Sequence, residues 1–185
     1  MKTLLLCGYR PLDTSERALG IERDELGQTL IDRRIQQLRN LGQEVVCVLA
    51  GPEAEIQLRE GRAIQDAELI FDTNTPSLLA NLKAGLQALI GEACFVLPVE
   101  VPLPPDEVWQ SLRYEFLRLG TQAKEHMLQA VTAEGAPCQL GFPLLVTISG
   151  VKLLQNSTNL THLLDPQLKY RHVLQSDVAP MQFTL

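Results

Sequence analysis

The sequence is short of most features that announce a function. Its four cysteines, Cys7, Cys47, Cys94 and Cys138, include no Cys-x-x-Cys pair, and no histidine stands at zinc spacing from them. That argues against a zinc module and against a thioredoxin-type redox motif. Three of the four lie in apolar strand-like runs, where a free thiol behaves as a small hydrophobe, so reduced core thiols are expected. No apolar run approaches the ~18–20 residues that span a bilayer. The opening Met1-Lys-Thr-Leu-Leu-Leu-Cys-Gly8 mimics a leader for a few residues, but its apolar part is short and Arg10 follows at once. The expectation is a cytoplasmic protein with no membrane partner. Positive charge is scarce: 16 Lys and Arg stand against 22 Asp and Glu, a net charge of −6. A nucleic-acid polymer would want a basic face and is therefore not an expected partner. Nucleotide monomers stay open, because a single loop can hold phosphate in an acidic protein.

Signature motifs are missing too. No Gly-x-Gly-x-x-Gly follows the first apolar run, which speaks against a dinucleotide oxidoreductase. There is no Gly-x-Ser-x-Gly and no Walker lysine. His126, His162 and His172 have no partner at metal spacing and read as ordinary histidines.

What is present is the composition of a globular α/β domain. Hydrophobic residues make up 45% and charged residues 21% of 185, enough for one domain that buries roughly 70% of its unfolded surface. Residues 2–7 read as a first buried strand, followed by a long polar stretch over 9–28 of the kind that is functional or partly disordered. A helix is expected over 29–41, since Leu30, Ile31, Ile35 and Leu38 share a face and Gly42 suits its cap. Strands follow at 44–50 and 67–71 around a short helix at 52–60. The clearest helix spans 76–90, with Thr75 as cap, Pro76 in the first turn and an apolar stripe through Leu78, Leu79, Leu82, Leu86, Leu89 and Ile90. Residues 105–119 form another helix, with Trp109 on its core face. Strands at 127–133 and 138–148, two short helices near 151–154 and 159–164, and strands at 170–174 and 181–185 complete the chain. Alternating strands and helices through residue 119 indicate a mostly parallel sheet built of right-handed βαβ units, and the later strands an antiparallel excursion. The expected fold is α/β and three-layered, in a single domain over residues 1–185.

The chain is organised around Cys94-Phe-Val-Leu-Pro-Val-Glu-Val-Pro-Leu-Pro-Pro105. Its apolar start reads as a strand buried on both faces, and Pro98 and Pro102 force that strand to end. Pro104, Pro105, Asp106 and Glu107 then open a helix, with acids at the positive end of its dipole. Ligands of open α/β sheets bind outside the carboxyl ends of the strands. Glu100 is the charged side chain placed there.

This stretch resembles the Leu-Pro-Val-Asp-x-Pro motif of the MobA-like nucleotidyltransferases, the molybdenum-cofactor group with a GT-A-type, nucleotide-diphospho-sugar-transferase-like fold. The resemblance continues at Leu26-Gly27-Gln28-Thr29-Leu30-Ile31, at Asn74-Thr75-Pro76-Ser77-Leu78 and at Gly141-Phe142-Pro143. It implies a nucleotide site in which Gly8 and its loop amides hold phosphates and Arg10 or Arg17 neutralises them. It also implies that Asp72 and Ser77 contribute to nucleotide binding and that Glu100 holds Mg²⁺ where the family has Asp. The family's phosphate-loop lysine has no counterpart, since no lysine occurs between Lys2 and Lys83. Nor does a carboxylate follow Asp177, where the family has its second metal acid. Two readings follow. The chain transfers a nucleotidyl group from an NTP, CTP or GTP, to a phosphorylated or pterin-type small-molecule acceptor. Alternatively it is a catalytically degenerate relative that binds nucleotide or serves in an assembly. A homo-oligomer is left open.

Overall fold

The computed structural model describes residues 1–7, 20–21, 23–61, 64–72, 78–89, 93–120, 127–132, 144–146 and 171–176. The expected short helices near 151–164, the strand at 181–185, Cys138 and Gly141–Pro143 lie outside the described residues. The chain falls into two compact units, the first made of Met1–Ile90 with Leu97–Glu100 and the second of Gly91–Val96 with Val101–Leu185.

In the first unit, β1 (Lys2–Cys7), β2 (Glu44–Ala50) and β3 (Ala67–Asp72) run parallel in the order β3-β2-β1. Helices α1 (Leu30–Asn40) and α2 (Gly51–Glu60) make the crossovers, and α3 (Leu78–Ala88) follows β3. The register pairs Leu4 with Val46 and Val46 with Glu68. Leu4 to Cys7 and Val45 to Ala50 are all buried, as continuous apolar runs must be when helices cover both faces of a parallel sheet. The edge strand β3 is only half-buried.

Helix α1 starts where its sequence dictates. Thr29 Oγ1 accepts the Asp32 amide at 3.1 Å, and Asp32 Oδ2 accepts the Thr29 amide at 3.2 Å, a reciprocal capping box. Ile31, Ile35 and Leu38 form its buried stripe. The turn before it is also closed: Asp24 Oδ1 accepts the amides of Leu26 and Gln28, and Gly27 takes φ +76°, a region that glycine enters without strain. The end of the polar stretch is therefore a hydrogen-bonded turn. Helix α3 lies on β1 through a glycine. A Cβ at Gly85 would overlap the branched end of Leu4, so the close approach needs glycine there.

Strand β4 (Cys94–Pro98) starts in the second unit and ends in the first. Within the second unit, Cys94–Val96 pairs antiparallel with β6 (Leu144–Val146), β6 pairs antiparallel with β5 (Met127–Thr132), and β5 pairs parallel with β7 (Arg171–Ser176). This is the antiparallel excursion read from the sequence. Helix α4 (Asp106–Leu119) buries Val108, Trp109 and Leu112. The Trp109 ring meets Phe95 edge-on, with centroids 4.9 Å apart at 84°, and its Nε1 donates to the Pro104 carbonyl at 3.3 Å. Trp109 is thus core, as its position on the helix predicts. Glu115 is also buried on this helix, and it bonds Arg118 one turn on. No helix among the described residues is long and apolar enough to cross a membrane.

Candidate active site

The parallel register of the first unit brings the carboxyl ends of β1, β2 and β3 to one edge, at Cys7, Ala50 and Asp72. The segment after β4 joins them. Val99 donates its amide to the Leu6 carbonyl at 2.9 Å, which seats Glu100 beside the end of β1. Pro98 ends the strand one residue earlier, as expected, and residues 99 and 100 turn. Glu100 is half-buried, with its Oε2 atom fully buried.

Side chains from two helices hold these strand ends. Asn81 of α3 is 0% exposed and donates Nδ2 to the Cys7 carbonyl at 3.3 Å. Arg34 of α1 donates Nε to the Val99 carbonyl at 3.1 Å and Nη1 to Gln37 Oε1 at 2.9 Å. Beneath them lie two thiols, Cys7 Sγ and Cys47 Sγ, 3.5 Å apart. Both are buried and outside any disulfide, as is Cys94. Burial above all pushes the Cys7 thiol well above its usual range, helped by its contact with Cys47 and by the charges of Glu100 and Glu53. It stays protonated and is a packing group, with no nucleophilic role. Glu53, the third residue of α2, is 0% exposed. An acid in the first turn is favoured by the helix dipole, which helps to offset its burial.

The residues predicted for the site divide as follows. Glu100 stands at the carboxyl edge, beside the end of β1 that leads into Gly8. Asp72 ends β3 at the same edge, half-buried. It lies two strands from β1, about 10 Å at the usual strand spacing, and does not reach the surroundings of Glu100 through the sheet. Gly8, Arg10, Arg17 and Ser77 lie outside the described residues. Sequence reasoning gave no role to Asn81, Arg34 or Glu53. Asn81 and Glu53 had a readable signal: each is a polar residue in an otherwise apolar helical stripe or at a strand–helix junction. Arg34 gave none, because its partner is a backbone carbonyl 65 residues away.

Glu100 is the carboxylate that this edge offers beside the end of β1, and the buried Glu53 lies close enough for its charge to act on the same Cys7 thiol. No group of three or more His, Cys, Asp or Glu among the described residues could hold a metal ion. The residues present fit a Mg²⁺-like ion in the mode where one or two carboxylates and the substrate's phosphates share the coordination shell.

At the level of sequence, no protein-family model and no curated protein matches the chain. Solved structures do share its fold. Rv0371c from Mycobacterium tuberculosis, solved as a complex with manganese, superposes with a TM-score of 0.65 at 12% identity, covering 96% of this chain and 88% of that one. The 4-diphosphocytidyl-2C-methyl-D-erythritol synthase of Anaerococcus prevotii gives 0.58 at 13% identity, over 99% of this chain and 90% of the other. HddC from Yersinia pseudotuberculosis, complexed with GMP-PN, gives 0.59 at 10% identity, over 96% and 91%. The fold shared with these structures is α/β, with an antiparallel pair in an otherwise mostly parallel arrangement of strands.

Proposed function

We propose that the chain binds a nucleoside triphosphate at the carboxyl edge of β1 and transfers its nucleotidyl group to a phosphorylated or pterin-type small molecule, as in the MobA-like group. The observation that carries this reading is the seating of Glu100. The Val99–Leu6 hydrogen bond of 2.9 Å fixes that carboxylate next to Cys7, the residue before Gly8. In the reaction, an acceptor oxygen attacks the α-phosphorus, the bond to the β-phosphate oxygen breaks, and pyrophosphate leaves. Bound with the nucleotide, a divalent cation would supply charge neutralisation for the leaving phosphates. Glu100 would hold that cation, and Gly8, Arg10, Arg17, Asp72 and Ser77 would contact the nucleotide. Asn81 keeps the end of β1, and so the start of the Gly8 loop, in place for binding.

Two facts favour a second reading, in which the chain binds nucleotide without turning it over. Among the described residues no group of three or more His, Cys, Asp or Glu could hold a metal ion, and the loop lysine of the family has no counterpart in the sequence. A thermal-shift panel of CTP, GTP, ATP and UTP, each with Mg²⁺ or Mn²⁺, tests what both readings share. A ligand at 100 times its Kd adds about 2.7 kcal/mol to stability. No shift with any nucleotide at millimolar concentration rejects the nucleotide site. Pyrophosphate release in the presence of candidate acceptors then separates transfer from binding.

A further inference from the structure

Pro98 ends β4, and the Val99 carbonyl that follows belongs to the peptide unit carrying the Glu100 nitrogen. Val99 is 0% exposed, so that carbonyl needs a donor. The donor comes from α1, where Arg34 Nε donates to it at 3.1 Å. On the other side, the Val99 amide donates to the Leu6 carbonyl at 2.9 Å. The guanidinium is itself oriented: its Nη1 donates to Gln37 Oε1 at 2.9 Å, one turn further along α1. The start of α1 is fixed in turn, by the capping box at Thr29 and by the Ile31 amide, which donates to the Gly20 carbonyl at 3.0 Å. Burial and the charge of Arg33 work against the Arg34 guanidinium, while the charge of Glu100 favours it.

We propose that Arg34 is a positioning residue of the nucleotide site: by holding the Val99 carbonyl it sets the place of Glu100, and with it the metal-dependent part of nucleotide binding. This deepens, and rests on, the reading of Glu100 as a carboxylate that faces a nucleotide-borne divalent cation. A Mg²⁺-like ion asks for near-octahedral geometry and tolerates little displacement of a ligand. A shift of the Glu100 peptide therefore weakens the cation's contribution, whatever other groups surround the carboxylate. What matters is an N–H donor at one distance from the helix. In arginine the donating Nε is bonded to Cδ. Glutamine carries its amide nitrogen on Cδ too, so it can place an N–H at the same point without the charge. Lysine has a methylene there and its charge one bond further out, and methionine has a methyl group. Donor and charge are thus separable by substitution, and a role for the charge alone would make lysine the better substitute.

The test uses the full chain. CTP and GTP are titrated by calorimetry, with and without Mn²⁺, into wild type, Arg34→Gln, Arg34→Lys and Arg34→Met, each checked for folding by thermal melting. The quantity read is the factor by which Mn²⁺ tightens the nucleotide. Arg34→Gln should keep most of that factor, whereas Arg34→Lys and Arg34→Met should lower it about fivefold or more. With Glu100→Gln already present, the Arg34 changes should not alter it further. If Arg34→Met fails to fold, the comparison of Arg34→Gln with Arg34→Lys decides. A factor lost in Arg34→Gln, or kept in Arg34→Lys, overturns the proposal, because the placed donor is then not what matters. In either case nucleotide binding itself stands. A wild type that binds nucleotide with no gain from Mn²⁺ removes the metal reading of Glu100 and this proposal with it, and a wild type that binds no nucleotide removes the proposed function as well.

Discussion

Replacing Gly85 with alanine should destabilise the protein, although alanine is the better helix former. In a helix interior the change from glycine to alanine contributes about 1 kcal/mol of stability from propensity alone. Here the new Cβ would overlap Cγ, Cδ1 and Cδ2 of Leu4 together. Leu4 is 0% exposed and sits in the middle of β1, paired in register with Val46, so it cannot swing away. Overpacking of this kind costs about 1–3 kcal/mol, which outweighs the propensity gain over most of that range. The net expectation is a loss of up to about 2 kcal/mol, relieved when Leu4 is trimmed. Urea unfolding of wild type, Gly85→Ala, Leu4→Val and the double variant measures this. The double variant should be more stable than the sum of the single changes predicts, by about 1 kcal/mol or more. Strict additivity, or a Gly85→Ala chain more stable than wild type, refutes the argument. A second readout follows from geometry. Helix α3 also carries Asn81, so pushing it off β1 should lengthen the Asn81–Cys7 hydrogen bond and weaken nucleotide binding.

Asn81→Leu should cost about 1–3 kcal/mol by stranding the buried Cys7 carbonyl, and should weaken nucleotide binding further than the stability loss explains; paired melting and titration check both. Cys7, Cys47 and Cys94 should resist alkylation in the native state, and rapid labelling of any of them would move its strand out of the core. The Cys7 thiol, held well above its usual value of 9.0, favours the folded state fully below that pH. As pH rises past about 9 the unfolded chain gives up this proton first, so stability should fall, with a shallower fall in Cys7→Ala in pH-stepped urea unfolding.

Strands and helices were legible because local chemistry wrote them. Thr29 and Asp32 mark the start of α1, Gly61 closes α2, and Pro98 ends β4 within a residue of the position read from sequence. Glu100 was legible for the same reason, as an acid directly after a buried strand. What the sequence hid are contacts between distant residues. Arg34 lies 65 positions from Val99, Asn81 lies 74 from Cys7, and the thiols that touch are 40 apart. No periodicity encodes such pairs; they exist only once the sheet has set its register. The fit of Gly85 against Leu4 is of this kind too, since a glycine inside a helix reads in sequence only as a weak point.

The grip of Arg34 and Asn81 on the backbone has a consequence for what this scaffold tolerates. Asn81 holds the carbonyl that ends β1, Arg34 holds the carbonyl just past the end of β4, and each comes from a helix. The ends of β1 and β4 are therefore fixed by residues that the loops do not supply. Loop side chains can be exchanged, as with aspartate for Glu100 or a lysine introduced into the stretch after Gly8, without dismantling the platform beneath them. Shape and chemistry are here inherited through different residues, so the position of Glu100 can change its chemistry while the platform keeps its shape.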